Sequence, residues 1–124
     1  MKFLFILFFA AIAMVGCSSE DAEFSFMSSA DAYELITSEA DVIILDVRSE
    51  SEFLEEHIEG SVLLPVDEIA DRAEDVLTNK DAVILVICRS GNRSQTASQE
   101  LADLGYTNVY DIGGIMSWPG EIVQ

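Results

Sequence analysis

The thiol of Cys88 is the side chain whose neighbours most clearly equip it for chemistry. Cys88 follows an apolar run, residues 82–87, and two arginines, Arg89 and Arg93, come within five residues of it. The next segment, residues 95–104, repeats apolar residues at helical spacing. A loop that joins a strand to the start of a helix is a common anion site in α/β proteins. The sequence therefore predicts a nucleophilic cysteine inside an anion-binding loop.

Three features of this loop favour the thiolate, which is the nucleophilic form of cysteine. Successive backbone N–H groups can point into the loop, the following helix directs its positive end at it, and both arginines add full charges. Gly91 permits a tight curl that a side chain would hinder. The predicted site is the nucleophile Cys88 with a loop of Arg89, Ser90, Gly91, Asn92, Arg93 and Ser94.

The amino terminus has the pattern of a secretory signal. Lys2 precedes an apolar block, residues 3–15, which is shorter than the roughly 20 apolar residues of a membrane-spanning helix. The end of the block, residues 14–17, resembles the bacterial lipobox. That resemblance implies that Cys17 is lipidated and becomes the mature amino terminus.

These features divide the chain into three parts. We predict a lipoprotein signal peptide at residues 1–16, a lipidated tether at residues 17–23 and one folded domain at residues 24–124. The protein would be exported and anchored to the periplasmic side of the cell envelope, in an outer membrane if there is one, because Ser18 follows Cys17. The alternative is an ordinary signal peptide that is cleaved elsewhere, with Cys17 incidental.

The cysteine count leaves one thiol for chemistry. The chain has two cysteines, and lipidation of Cys17 would leave Cys88 alone in the mature domain. A disulfide framework is therefore excluded, although the predicted compartment is oxidising. A single thiol outside the cytoplasm is either buried and inert or kept for chemistry.

The charge balance narrows the possible partners. The chain has a formal net charge of −17, and removal of Lys2 with the signal would make it one unit more negative. Such a surface repels nucleic acid and anionic lipid headgroups, so neither is an expected direct partner. The remaining cations are five side chains, two of which lie in the Cys88 loop: Arg48, Arg72, Lys80, Arg89 and Arg93.

Strand-like and helix-like segments alternate along the chain. Predicted strands cover residues 24–26, 42–45, 61–64, 82–87 and 108–110, and predicted helices begin near Ser28, near Ser49, at a cap provided by Asp67 and behind the Cys88 loop. Gly113 and Gly114 predict a turn. Short connections between alternating elements favour a single α/β domain, with a mostly parallel central sheet of about five strands and helices on both faces.

The motifs together resemble those of the single-domain rhodaneses, which are thiosulfate sulfurtransferase-like proteins, over nearly all of residues 24–124. The loop from Cys88 to Ser94 matches the family form Cys-x-x-Gly-x-Arg-Ser. The other matching landmarks are Asp46-Val47-Arg48, Glu52-Phe53, residues 57–61, Pro65 and Gly113-Gly114-Ile115-x-x-Trp118. The departures, Glu56, Ser61 and Ile87, lie outside the loop.

The resemblance implies a two-step sulfur transfer without a cofactor. Cys88 would take the outer sulfur of thiosulfate or another sulfane donor as a persulfide and pass it to cyanide or a thiol. Arg89 and Arg93 would bind the anionic end of the donor or brace the loop. Asp46 and Arg48 would have a structural role, pairing their charges at a strand end.

The spacing within the loop separates this chemistry from a related one. Phosphatases and arsenate reductases of similar fold use Cys-x5-Arg, a loop one residue longer that fits a tetrahedral oxyanion. Here Arg93 follows Cys88 at Cys-x4-Arg spacing, which favours sulfur over phosphate.

Two functions remain open at this point. One is a monomeric envelope sulfurtransferase acting on a small sulfur-containing anion and a thiol or cyanide acceptor. The other is a non-catalytic rhodanese module that binds a partner protein. A metal site is not expected, because His57 has no second histidine and no further free cysteine beside it.

Overall fold

A computed structural model describes residues 22–38 and 40–124. The strands are β1 (Ser25–Phe26), β2 (Val42–Asp46), β3 (His57–Ile58), β4 (Val62–Leu63), β5 (Val83–Cys88), β6 (Asn108–Gly114) and β7 (Ile122–Val123). The helices are α1 (Ser29–Thr37), α2 (Glu50–Glu55), α3 (Ile69–Val76) and α4 (Asn92–Asp103), with short 3-10 turns at Val66–Glu68 and Ile115–Ser117. The predicted signal peptide and most of the predicted tether, with Cys17, lie outside the described residues.

Five of the strands form one parallel sheet in the order β1-β6-β5-β2-β4. The predicted α/β fold with a parallel sheet of five strands is therefore confirmed. Because all five strands run in the same direction, the loops that follow them meet at one edge of the sheet. The loop after Cys88 lies in the middle of that edge.

Strand β5 lies in the middle of the sheet. Its apolar residues are buried on both faces. Val86 and Cys88 pack into the core on the face covered by α3 and α4. Leu85 and Ile87 pack into the opposite core, which Ala32 of α1 and the carboxy-terminal Trp118 also enter. The structure thus confirms the prediction of helices on both faces.

Helix starts are set by local polar side chains at two of the predicted places. The Ser28 hydroxyl accepts from the Asp31 N–H at 3.0 Å, which begins α1. Ser49 and Glu52 form a reciprocal capping box at the start of α2. Asp67 was wrongly predicted as a cap. It lies inside the 3-10 turn that follows Pro65, so α3 begins only at Ile69.

The predicted turn at Gly113 and Gly114 was also wrong, since both glycines belong to the end of β6. Val86 pairs with Asp111, whereas the next residue, Ile87, pairs with Gly113. One residue of β6 is therefore extra at this point, which makes a β-bulge next to the Cys88 loop.

The carboxy-terminal tail forms a second, two-stranded sheet that was not predicted. His57 pairs with Val123 and Ile58 with Ile122, in antiparallel register. Each of these two strands is two residues long, which is too short to show a hydrophobic period by itself. Across residues 22–38 and 40–124 there is no helix with both the length and the apolar character needed to cross a membrane.

Candidate active site

The sulfur of Cys88 lies beneath its loop at the end of β5. The residue is 0% exposed and is a free thiol. Its neighbours in the core include Val47, Val86 and Ala97. The backbone N–H of Gly91 donates to the sulfur, with 2.9 Å between nitrogen and Sγ. A polar donor is therefore aimed at the sulfur in surroundings that are otherwise apolar.

The loop curls because Gly91 adopts a backbone conformation that L-residues avoid. Its φ is +108°, in the left-handed region, and it directly precedes the first residue of α4. The twelve-residue helix α4 thus directs its positive end towards the loop. The side chains of Arg89, Ser90 and Asn92 are exposed around this curl.

Arg93 is held by α2. Its Nη1 and Nη2 atoms donate to Glu52 Oε1 and Oε2 at 2.7 and 3.0 Å. The Arg93 guanidinium lowers the pKa of the Glu52 carboxyl from 4.5 to about 2, and Glu52 in turn raises the pKa of Arg93. The structure therefore shows Arg93 as a brace between α4 and α2.

Replacing Glu52 by Gln is expected to lower the free energy of unfolding by about 1 kcal/mol at pH 7, because the pair is partly exposed and screened. A depressed carboxyl pKa stabilises the fold fully above pH 4.5, and this contribution disappears as the pH falls through about 2. The difference between wild type and variant should thus shrink between these pH values. Urea unfolding as a function of pH measures it.

Glutamine at position 52 can still accept from the Ser49 N–H, so the variant keeps the capping box. Glu55→Gln is the matched control, because Glu55 is an exposed acid on the same helix. A destabilisation by Glu52→Gln that stayed constant from pH 7 to pH 2 would contradict the ion pair as its source.

Asp46 and Arg48 form a buried pair beside the loop. Arg48 Nη2 donates to Asp46 Oδ2 at 2.8 Å, and the two side chains are 1% and 0% exposed. Arg48 Nη2 also donates to the carbonyl oxygen of Glu56 at 2.7 Å. The pair thus connects the end of β2 to the end of α2, on which Glu52 holds Arg93.

Asp111 supports the far side of the loop and was missed by the sequence analysis. The Ser94 hydroxyl lies 2.7 Å from Asp111 Oδ1 and 3.1 Å from the carbonyl oxygen of Gly91. The Gly113 N–H donates to the same Asp111 oxygen at 2.9 Å. Ser94 is 0% exposed and Asp111 4%. Asp111 therefore joins the bulge of β6 to the start of α4.

The backbone of Gly114 lies directly against the backbone of the loop. A Cβ atom placed on Gly114 would lie 2.2 Å from the carbonyl oxygen of Arg89 and 3.1 Å from the Cα atom of Ser90. No side chain fits in that space, so the motif glycine allows the loop to lie directly on β6. The sequence analysis names Gly113-Gly114 as a family landmark, but it does not predict the close contact with the loop that requires a glycine at position 114.

Two grooves flank the loop along the carboxyl edge of the sheet. The groove on the β2 and β4 side has a volume of about 410 Å³ and a polar lining that includes Arg93, Glu50 and Asp67. The groove on the β6 and β1 side has a volume of about 390 Å³ and is lined by Phe26, Met27, Ser28, Gly91, Gln95, Asp111, Ile112 and Gly113. A substrate can therefore reach the loop from either side.

The cations near the loop are largely neutralised. Among the lysines and arginines of residues 22–38 and 40–124, four form ion pairs, namely Arg48, Arg72, Lys80 and Arg93. Arg89 forms none and is exposed. Arg89 is therefore the loop arginine whose charge is available to an anion.

The same described residues contain no group of three or more His, Cys, Asp or Glu side chains that could hold a metal ion.

His57 packs within the fold away from this chemistry. Its Nδ1 lies 2.8 Å from the carbonyl oxygen of Phe53, and the two rings stack with centroids 3.9 Å apart. Both contacts tie β3 to α2, which carries Glu52.

Comparisons with known proteins agree with this geometry. The family model described as "Rhodanese-like domain" matches residues 28–121. The chain is 33% identical over 93 residues to the thiosulfate sulfurtransferase GlpE of Coxiella burnetii, covering 74% of this chain and 84% of that protein. It is 35% identical over 92 residues to the adenylyltransferase and sulfurtransferase UBA4 of Meyerozyma guilliermondii, covering 68% of this chain but only 22% of that longer protein.

A solved structure gives the same picture of the fold. The crystal structure of a rhodanese-related protein from Thermoplasma volcanium has a TM-score of 0.70 and 33% identity, and the match covers 81% of this chain and 98% of that one. The similarity thus extends over most of this chain and nearly all of that protein.

Proposed function

The chain belongs to the rhodanese-like domain family, and from this premise we propose that it is a sulfurtransferase that carries sulfur as a persulfide on Cys88. The donor would be thiosulfate or a persulfide, and the acceptor a thiol or cyanide. The observation that carries the proposal is the donation from the Gly91 N–H to Cys88 Sγ at 2.9 Å. A donor at this place stabilises negative charge on sulfur.

The first step is a displacement at sulfur. The Cys88 thiolate attacks the outer sulfur of the donor, and a bond forms between that sulfur and Sγ. The sulfur–sulfur bond of the donor breaks, and its electron pair leaves with sulfite from thiosulfate or with a thiolate from a persulfide. No outside oxidant or reductant is needed, because the outer sulfur exchanges one sulfur–sulfur bond for another and is transferred at the same oxidation level.

The second step returns the enzyme to its resting state. The acceptor attacks the outer sulfur of the Cys88 persulfide, and the electron pair of the broken bond returns to Sγ. Arg89 is the exposed cation that would meet an anionic donor, whereas Arg93 is held by Glu52 and serves as the brace of the loop. The short Cys-x4-Arg loop supports sulfur chemistry over phosphoryl transfer.

The test is mass spectrometry together with cyanolysis. Protein incubated with thiosulfate should gain the mass of one sulfur atom on the peptide that contains Cys88, lose it again with cyanide, and release thiocyanate in turnover. Hydrolysis of an aryl phosphate should be undetectable. Absence of both the added sulfur and thiocyanate would overturn the proposal and favour a non-catalytic module that binds a partner protein.

We also propose that the protein is exported and lipid-anchored through Cys17. The support is the lipobox-like sequence at residues 14–17 behind an apolar block. The same mass measurement on protein extracted from membranes tests this. A diacylated or triacylated amino-terminal Cys17 is expected, and an intact residue 1 would overturn the proposal.

A further inference from the structure

The groove on the β6 and β1 side contains a buried acid that the proposed sulfur transfer does not use. Asp111 is 4% exposed and lines this groove of about 390 Å³. Carboxylates are almost never buried unless hydrogen bonds or a cation compensate their charge. The way in which the charge of Asp111 is compensated therefore indicates which kind of ligand the groove binds.

Among the residues that the structure describes, hydrogen bonds compensate only one oxygen of Asp111. The Ser94 hydroxyl and the Gly113 N–H both contact Oδ1, at 2.7 and 2.9 Å. Within residues 22–38 and 40–124, no hydrogen bond reaches Oδ2, and no lysine or arginine pairs with this carboxylate. Oδ2 is also not among the fully buried atoms that lack a partner. It is thus the oxygen that remains for a ligand in the groove.

The rest of the groove is suited to a small ligand with an apolar body. Phe26, Met27 and Ile112 supply an apolar part of its wall, and Phe26 is 68% exposed. Gly91 lines the same groove, and its N–H contacts Cys88 Sγ. A ligand here would lie against the loop that covers the sulfur.

We propose that this groove binds the sulfur acceptor, and that the acceptor is a small aminothiol whose ammonium group donates to Asp111 Oδ2. This inference rests on the proposed sulfurtransferase function and names the acceptor class for the same site. A buried carboxylate next to apolar walls selects a cation strongly, because few water molecules compete for it. The short carbon chain of the aminothiol contacts Phe26 and Met27.

The transfer step is balanced without a further reactant. The aminothiol sulfur, as thiolate, attacks the outer sulfur of the protonated Cys88 persulfide. The bond between that sulfur and Sγ breaks, Sγ keeps the electron pair as a thiolate, and the aminothiol leaves as its persulfide. Asp111 takes no proton in this step. Its role is to hold the ammonium group.

The experiment compares two acceptors that differ only in the group that Asp111 would bind. Wild-type protein is first loaded with sulfur on Cys88 and freed of donor. It is then mixed with cysteamine or with 2-mercaptoethanol, and loss of the added sulfur is followed in a single turnover. Asp111→Asn should lower the ratio of the cysteamine to the 2-mercaptoethanol rate constant about tenfold. Asparagine can keep the contacts of Ser94 and Gly113 through its carbonyl oxygen.

The control variant is Asp103→Asn, which removes an equal charge at the exposed end of α4, on the opposite edge of the sheet. Its ratio should equal that of the wild type. An unchanged ratio in Asp111→Asn overturns the proposal. If both rate constants fall by the same factor, Asp111 is a purely positioning residue. If cyanide removes no sulfur from wild-type protein, the proposed function itself has failed.

A second measurement uses only the wild-type protein, so it tests the binding of the ammonium group even if Asp111→Asn does not fold. Ethylammonium should slow transfer to cysteamine, whereas tetramethylammonium at the same ionic strength should not, because it has no N–H to donate. Equal effects of the two cations would overturn the proposal.

Discussion

Replacing Cys88 by serine is expected to abolish sulfur transfer, lowering the rate of thiocyanate formation from thiosulfate and cyanide by at least about a thousandfold. The serine hydroxyl is not ionised near neutral pH and cannot form a persulfide. The variant should therefore also fail to gain a sulfur atom in the mass spectrum.

The structure indicates that this variant will fold. Cys88 and serine have similar shapes, and the serine oxygen can accept from the Gly91 N–H in place of Sγ. The residue is fully buried, so a modest loss of stability is expected from placing a hydroxyl among apolar neighbours, about 1–3 kcal/mol. Thermal unfolding of the variant separates loss of chemistry from loss of fold.

Cys17→Ser is the matched control, since these are the two cysteines of the chain. It should keep full cyanolysis activity. Activity that persisted in Cys88→Ser would show that Cys88 is not the sulfur carrier. Activity that disappeared in Cys17→Ser would show that Cys88 is not sufficient for the transfer.

Replacing Gly114 by alanine is expected to reduce cyanolysis about a hundredfold and to lower the free energy of unfolding by about 1–3 kcal/mol. The new Cβ would lie 2.2 Å from the carbonyl oxygen and 2.8 Å from the carbonyl carbon of Arg89. Both are backbone atoms, so no side-chain rotation relieves the contact. The loop must move away from β6, which displaces the Gly91 N–H from Cys88 Sγ.

Gly60→Ala is the control for this variant. Gly60 differs from Gly114 in having a positive φ, +86°, but a Cβ there would meet no atom within 4 Å. Alanine at Gly60 should cost about 1 kcal/mol of backbone strain while sulfur transfer is kept. Crystal structures or amide exchange of the loop would show the displacement. Wild-type turnover by Gly114→Ala would mean that the loop position does not set activity.

The fold was predictable because its strands carry strong local signals. The β-branched run of β5 and the run at residues 42–45 could only be buried strands, and the short connections required a parallel sheet. What could not be predicted was the pairing of two-residue strands such as β3 with β7. Their stability comes from a distant partner, since His57 and Val123 are 66 positions apart in the chain, and no local period records such a contact.

The same division applies to the site. Cys88, Gly91 and Arg93 lie within one loop, so their spacing alone predicted the nucleophile, the curl and the length of the loop. Glu52 lies 41 positions from Arg93, and Asp111 lies 17 positions from Ser94. Both pairings were missed, because an acid in the sequence does not reveal which cation or hydroxyl it faces.

The sequence by itself therefore determined the chemistry proposed at Cys88, since the thiol and the loop that surrounds it are contiguous in the chain. Only the tertiary structure decided how that loop is held and what surrounds it. Strand order places β2 on one side of β5 and β6 on the other. That order brings Glu52 to Arg93, Gly114 to Arg89 and the acid Asp111 into a groove beside the sulfur. Strand order arises from the packing of two buried faces over the whole domain, and no single segment encodes it.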